Sequence, residues 1–146
     1  MIVVEFFVWL FCLYWVHRLV HVAPFLKSIH WEHHKYITSS VNNNWHWSNV
    51  FLFNDNIKST IDLWITEVVP TLLFCVMIGD FTIFVVYYIW AAFIQEVIEH
   101  NSKINLYPFL TSGRWHLNHH YNPTCNFGLF TGVFDTMFMT NKGLRQ

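Results

Sequence analysis

Two histidine-dense stretches hold most of the chemistry available to this chain. HRLVHVAPFLKSIHWEHHKY (17–36) carries His17, His21, His30, His33 and His34, and RWHLNHHYNPTCNFG (114–128) carries His116, His119 and His120. His17 and His21 stand four apart, so on a helix they share one face. His30, His33 and His34 form H-x-x-H-H, in which His30 aligns with both of the others, and His116, His119 and His120 repeat that pattern. His100 closes an apolar run with Glu96 one turn before it. Of the 10 histidines only His46 stands outside these clusters. At this histidine frequency about 0.05 H-x-x-H-H matches are expected by chance, so composition does not account for two.

Neutral imidazole is the commonest metal ligand, and i,i+3/i+4 pairs are how helices aim two ligands at one ion. A catalytic zinc takes three protein ligands, so eight or nine imidazoles exceed one ion's need and suit two. Imidazole accepts zinc, copper, iron or nickel, so the spacing points to a dinuclear site without naming its metal. Carboxylate-bridged di-iron bundles need several glutamates and E-x-x-H repeats. Here only Glu32, Glu96 and Glu99 lie near the clusters, which marks a histidine-rich site of another kind. A solvated metal-scavenging patch or a pH sensor requires no repeated helical spacing, and a metal transporter places its ligands within the spans. His46 reads as an interfacial or hydrogen-bonding residue. Cys12, Cys75 and Cys125 have no repeating spacing and read as small apolar fillers.

These residues must be positioned by apolar elements. The chain of 146 residues is 54% hydrophobic, 20% aromatic and only 12% charged, a composition that fits a membrane protein better than a soluble core of this size. The fold class expected is all-α: one integral membrane domain over residues 1–146, with about three membrane helices and a cytoplasmic histidine-rich cap holding a dimetal centre. The spans are expected at about residues 2–22, 63–78 and 81–100. The first has no positive n-region and no small-residue cleavage site, so it reads as a retained span. Gly79-Asp80 is a turn signal between the last two, which form a tight hairpin. The short second span leaves a shallow re-entrant hairpin open, and Pro70 is expected to kink it. Phe84, Tyr87, Tyr88, Trp90 and Phe93 read as packing or lipid-facing surface, with an acyl or sterol groove as the alternative.

All eight basic residues lie on one side of this three-span arrangement: Arg18, Lys27, Lys35 and Lys58 between the first two spans, and Lys103, Arg114, Lys142 and Arg145 after the third. The positive-inside rule makes that side cytoplasmic, and every histidine falls on it. The segment 38–56 reads as an interfacial loop with Trp45 and Trp47 at headgroup depth. The end, NKGLRQ, reads as frayed.

At this point the residues resemble the fatty acid hydroxylase/sterol desaturase superfamily of integral membrane oxygenases. HRLVHVAPFLKSIHWEHH is similar to its first two histidine boxes run together (17–34), and the segment 96–120 to its later ones. HLNHHYNPTCNFGLFTGVFDTMFMT resembles its last box and C-terminal signature. The resemblance implies metal ligation by His17, His21, His30, His33, His34, His100, His116, His119 and His120. Asn126 and Asp135 match signature positions and are expected to orient imidazoles through their other ring nitrogens. Glu96 stands where many members have histidine, either as a replacement ligand or as a polar residue at a helix end. Phe134 stands where Trp is usual, and FMT replaces a Phe-Gly-Thr ending. An additional N-terminal hairpin common in the family is missing from this sequence, so the lipid tunnel is expected to be incomplete or completed by a second copy in a homo-oligomer.

The activity implied is O2-dependent hydroxylation or desaturation of a fatty acyl, sphingolipid or sterol C–H bond. The cofactors implied are two iron ions, with zinc as a possible occupant on isolation, and O2. The sequence carries no flavin or nicotinamide fingerprint, so an external electron donor is implied, a cytochrome b5 or a ferredoxin-type protein. The resemblance places such an enzyme in the endoplasmic reticulum of a eukaryote, with a membrane lipid as substrate and nothing that points to nucleic acid. Two readings stand beside it: a carotenoid-type hydroxylase, and a shortened, non-catalytic metal-binding membrane protein.

Overall fold

Ile2–Val22 forms α1, whose outward face (Val3, Val4, Phe7, Val8, Trp15, Leu19) leaves large apolar side chains exposed while Trp9, Leu13, Tyr14 and His17 are buried. An apolar outer face on a helix of this length is what a bilayer solvates. In the computed structural model, which describes residues 2–39, 45–54, 56–107 and 109–143, helices are the only regular elements apart from one isolated antiparallel bridge between Asn105 and Gly113. After a bend at Ala23, Pro24–Ser39 forms α2. Proline suits the first helical position because its missing N–H would have no partner there.

The second apolar helix, α3, is Ile57–Ile78, and α4 is Thr82–Ile98. Among the described residues two helices, α1 and α3, are long and apolar enough to cross a membrane; α4 is apolar but shorter. The helix expected at 63–78 therefore starts a turn and a half earlier. Asn56 caps it, its Oδ1 accepting from the Lys58 N–H at 2.8 Å. Hydropathy passes over this first stretch because Ser59, Thr60 and Asp62 are polar, yet all three are buried, and Ser59 and Asp62 bond to histidines. At the other end the Gly79-Asp80 turn forms as expected: Gly79 takes a left-handed φ of 72° and Asp80 Oδ1 accepts from the Thr82 N–H at 2.8 Å.

Both helices carry a π turn, Trp64–Val68 in α3 and Ala91–Gln95 in α4. The one in α3 ends just before Pro70, whose ring cannot continue regular α-helical bonding. In α4 the widened turn keeps Tyr87, Ala91 and Gln95 buried in a line. On a regular α-helix each four-residue step drifts by about 40°.

Of the loop 38–56, residues 40–44 and 55 lie outside the described residues, as do residues 144–146 of the end read as frayed. The rest of the loop is fastened onto the hairpin around the 3-10 turn Trp47–Phe51. Trp45 Nε1 donates to the Ala92 carbonyl (2.8 Å), Tyr88 to the Val50 carbonyl (2.7 Å) and Trp64 Nε1 to the Leu52 carbonyl (3.0 Å). His46 caps that turn, accepting from the Ser48 N–H, a hydrogen-bonding role. The core joins α1, α3 and α4 around Trp9, whose Nε1 donates to Thr71 Oγ1 at 2.9 Å and whose ring meets Tyr87 and Phe130. Arg114–Tyr121 (α5) and Val133–Met137 (α6) are the last helices, and α6 packs against α1. Tyr14 stacks on Phe138, and its hydroxyl lies 2.8 Å from Thr140 Oγ1.

Candidate metal centre

The nine clustered histidines come together in two groups: His17, His21, His30, His34 and His119, and His33, His100, His116 and His120. Within each, one donor atom per residue lies within 4.8 Å of all the others. The first group is built where α1 ends, α2 turns back and α5 packs against both. His30 Nε2 lies 3.0 Å from His21 Nε2, 3.0 Å from His34 Nε2 and 3.3 Å from His17 Nε2, and His21 Nε2 is 3.0 Å from His119 Nε2. Two donors bound to one ion at ~2.1 Å, with a right angle between them, sit roughly 3.0 Å apart, so the spacing is that of neighbours around a metal.

The protons decide whether hydrogen bonds explain it instead. His17 Nδ1 lies 2.7 Å from the Phe127 carbonyl and His119 Nδ1 2.7 Å from the Cys125 carbonyl. A carbonyl only accepts, so both Nδ1 atoms carry the proton and both Nε2 atoms present a bare lone pair. Asp62, as a carboxylate, does the same for His30, its oxygens accepting from Nδ1 at 2.9 and 3.0 Å. His21 Nε2 has one proton at most and two close neighbours. Several lone pairs therefore converge on one point with too few protons to pair them, an arrangement that a cation stabilises. Burial also holds the rings outside the spans in the neutral, ligating form: His30 is pushed down to about 4 and His34 to about 3, and His33, His116, His119 and His120 lie well below the usual imidazole range.

The second group sits between α2, the end of α4 and α5. His120 Nε2 is 3.0 Å from His116 Nε2 and 3.2 Å from His100 Nε2. Its outer holders differ. His33 Nδ1 meets Ser59 Oγ at 3.0 Å, but the Nδ1 atoms of His100, His116 and His120 are buried with no hydrogen-bond partner among the described residues. Beside this group stands Glu99, 7% exposed, with Oε1 3.8 Å from His116 Nε2. Neither Glu96 nor Glu99 falls within either group, whose members all lie within 4.8 Å of one another. Glu96 and Glu99 both line a small cavity of about 40 Å³, together with Asp62, Glu67, Gln95 and several of the rings.

Asn126 and Asp135 act one step further out than the sequence suggests. Among the described residues their hydrogen bonds go to backbone groups and a threonine hydroxyl. Asp135 accepts from the N–H groups of Phe127 (2.7 Å) and Gly128 (2.9 Å) and from Thr140 Oγ1 (2.8 Å). Asn126, at a left-handed φ of 57°, bonds the Lys142 backbone with both ends of its amide. They pin the stretch whose carbonyls hold His17 and His119. Gly128 is required in that stretch, because a Cβ there collides with the Thr131 carbonyl and lies 2.8 Å from Asp135 Oδ2. Sequence reasoning missed Asp62 and Ser59. The available signal was an aspartate at the edge of an apolar run, which in a membrane helix marks a site by default.

The comparisons agree with this geometry. The fatty acid hydroxylase family model matches residues 2–140. A Delta(7)-sterol 5(6)-desaturase of Leptosphaeria maculans is 29% identical over 127 residues, which are 86% of this chain and 32% of that protein. The chain thus spans 32% of the length of the curated relative it matches. No solved structure matches it. With the family model matched along residues 2–140, nearly the whole length, this chain belongs to the fatty acid hydroxylase family.

Proposed function

We propose that this chain forms the metal-binding part of a membrane lipid hydroxylase or desaturase, with two iron ions held by His17, His21, His30, His34 and His119 and by His33, His100, His116 and His120. The observation that carries the reading is the convergence of imidazole donor atoms in two adjoining groups, in the first of which His17, His30 and His119 present an unprotonated Nε2. A bound iron pair supplies O2 activation strong enough to oxidise an unactivated C–H bond. The chain's own residues fix the geometry. Phe127 and Cys125 carbonyls and Asp62 hold three rings in the tautomer that presents Nε2, and burial keeps water from competing for those nitrogens.

The substrate proposed is an acyl chain or sterol reaching the site from the bilayer. An apolar groove of about 360 Å³ between α1 and α4, lined by Phe6, Trp9, Val86, Trp90, Phe109 and Phe130, suits such a molecule. Of the residues the sequence alternative named, Tyr87 and Trp90 line it, whereas Phe84, Tyr88 and Phe93 do not. The basic residues at the histidine end of the helices favour a cytoplasmic face and, in a eukaryote, the endoplasmic reticulum membrane. Electrons would come from a separate cytochrome b5 or ferredoxin-type donor. The test is metal analysis of detergent-purified protein made with iron supplementation, together with lipid mass spectrometry of the expressing cells. About two irons per chain, with hydroxylated or newly unsaturated lipids absent from a His119→Ala, His120→Ala control, is the expected result. Fewer than one metal per chain, unchanged in the control, refutes the reading.

A further inference from the structure

The two histidine groups are unequal: five imidazoles in one, four in the other. They also differ in support, since the first is hung from two carbonyls and Asp62, while three of the four rings in the second have no partner at Nδ1 among the described residues. What the second group has instead is a neighbouring carboxylate. We infer that Glu99, not Glu96, supplies an oxygen ligand to the metal held by His33, His100, His116 and His120, so that each ion has five protein donors, one set all nitrogen and the other four nitrogens and a carboxylate. This rests on the dinuclear reading above.

The geometry supports it in three ways. The Oε1–Nε2 separation of 3.8 Å to His116 is too long for a hydrogen bond, but two donors at ~2.1 Å from one ion are about 3.8 Å apart when the angle between them is roughly 130°. The other oxygen is held: Gln95 Nε2 donates to Glu99 Oε2 at 3.0 Å and also to Glu67 at 3.0 and 3.3 Å, which orients the carboxylate and leaves Oε1 for the histidine side. Finally, the π turn Ala91–Gln95 sets the register. It carries the buried line Tyr87, Ala91, Gln95 on to Glu99, whereas Glu96 follows Gln95 by about 100° of rotation and is only half buried. Gln95 is thus a positioning residue, and Glu99 a ligand.

The test uses the full chain in detergent, stripped of metal and titrated with cobalt(II) against a chelator. The unmutated protein is expected to bind two ions. Glu99→Gln, close to isosteric, is expected to bind one with unchanged affinity and the other at least tenfold more weakly; Glu99→Asp recovers part of that loss, and Glu96→Gln changes neither. A second measurement needs no variant: with ¹³C-labelled glutamate, the infrared difference between loaded and metal-free protein is expected to show a carboxylate stretch that moves on loading. Two ions bound by Glu99→Gln within about threefold of the unmutated affinities, or no carboxylate shift, overturns the assignment and leaves the dinuclear site standing. If the unmutated chain binds fewer than one ion, the dinuclear reading fails and this inference fails with it.

Discussion

Replacing Asp62 with alanine should weaken the ion of the first histidine group while leaving the fold in place. Asp62 takes the Nδ1 proton of His30 on both carboxylate oxygens, at 2.9 and 3.0 Å, with both residues at 6% side-chain exposure. Without it a buried N–H loses its acceptor, at a cost of about 1–3 kcal/mol, and the ring is free to move its proton to Nε2, where it blocks the ligand position. His30 Nε2 is the hub of the group, within 3.3 Å of three other Nε2 atoms, so the loss is felt by the whole set. Removing an outer partner of a ligating histidine typically lowers metal affinity about 10- to 100-fold, which is roughly 1.4–2.7 kcal/mol and agrees with the hydrogen-bond figure. Asp62→Asn keeps an oxygen acceptor without the charge, and since charge-assisted bonds are roughly twice as strong as neutral ones, it should lose about half as much free energy. The assay is cobalt(II) competition against a chelator in a His120→Ala background, which isolates the first group, with far-UV circular dichroism as the folding check. A folded Asp62→Ala protein whose affinity stays within about threefold of its parent refutes the reasoning.

Three further outcomes rest on the same geometry. His119→Ala and His120→Ala should each reduce bound metal by about one ion per chain, because these neighbours serve different groups; equal loss of both ions from either variant contradicts the partition. Gly128→Ala drives a Cβ into the Thr131 carbonyl and Asp135, and should lower stability by about 1–3 kcal/mol, read as a reduced melting temperature in detergent. Acidification should destabilise the metal-free protein. The folded values of His30 (about 4) and His34 (about 3) lie below the ordinary 6.5. Between pH 6.5 and about 4 the unfolded chain therefore binds protons that the folded one does not, and stability falls with pH. Melting temperatures of the apoprotein at pH 7.5 and pH 5 check the sign; no drop at pH 5 would be the contrary result.

Local spacing made much of this protein legible. An i,i+3/i+4 pattern is a property of one helix, so the nine clustered histidines could be picked from the string, and apolar runs marked α1, most of α3 and α4, with Gly79-Asp80 as the turn. Where the tertiary structure decided, it did so because the deciding contacts join distant segments. His33 and His34 are adjacent, as are His119 and His120, yet in each pair one residue belongs to each group. Neighbours on a helix diverge by about 100°, so the double histidine that looks like reinforcement of one site straddles two. Which ring goes to which group depends on how α2 and α5 approach α1 and α4, and no spacing along one helix records that. The same holds for the carboxylates. Asp62 lies in a turn that hydropathy set aside as too polar, and only packing against His30 makes its polarity useful. Glu96 matched the expected spacing to His100, but the π turn in α4 brings Glu99 to the histidines, a change of register that no α-helical period contains.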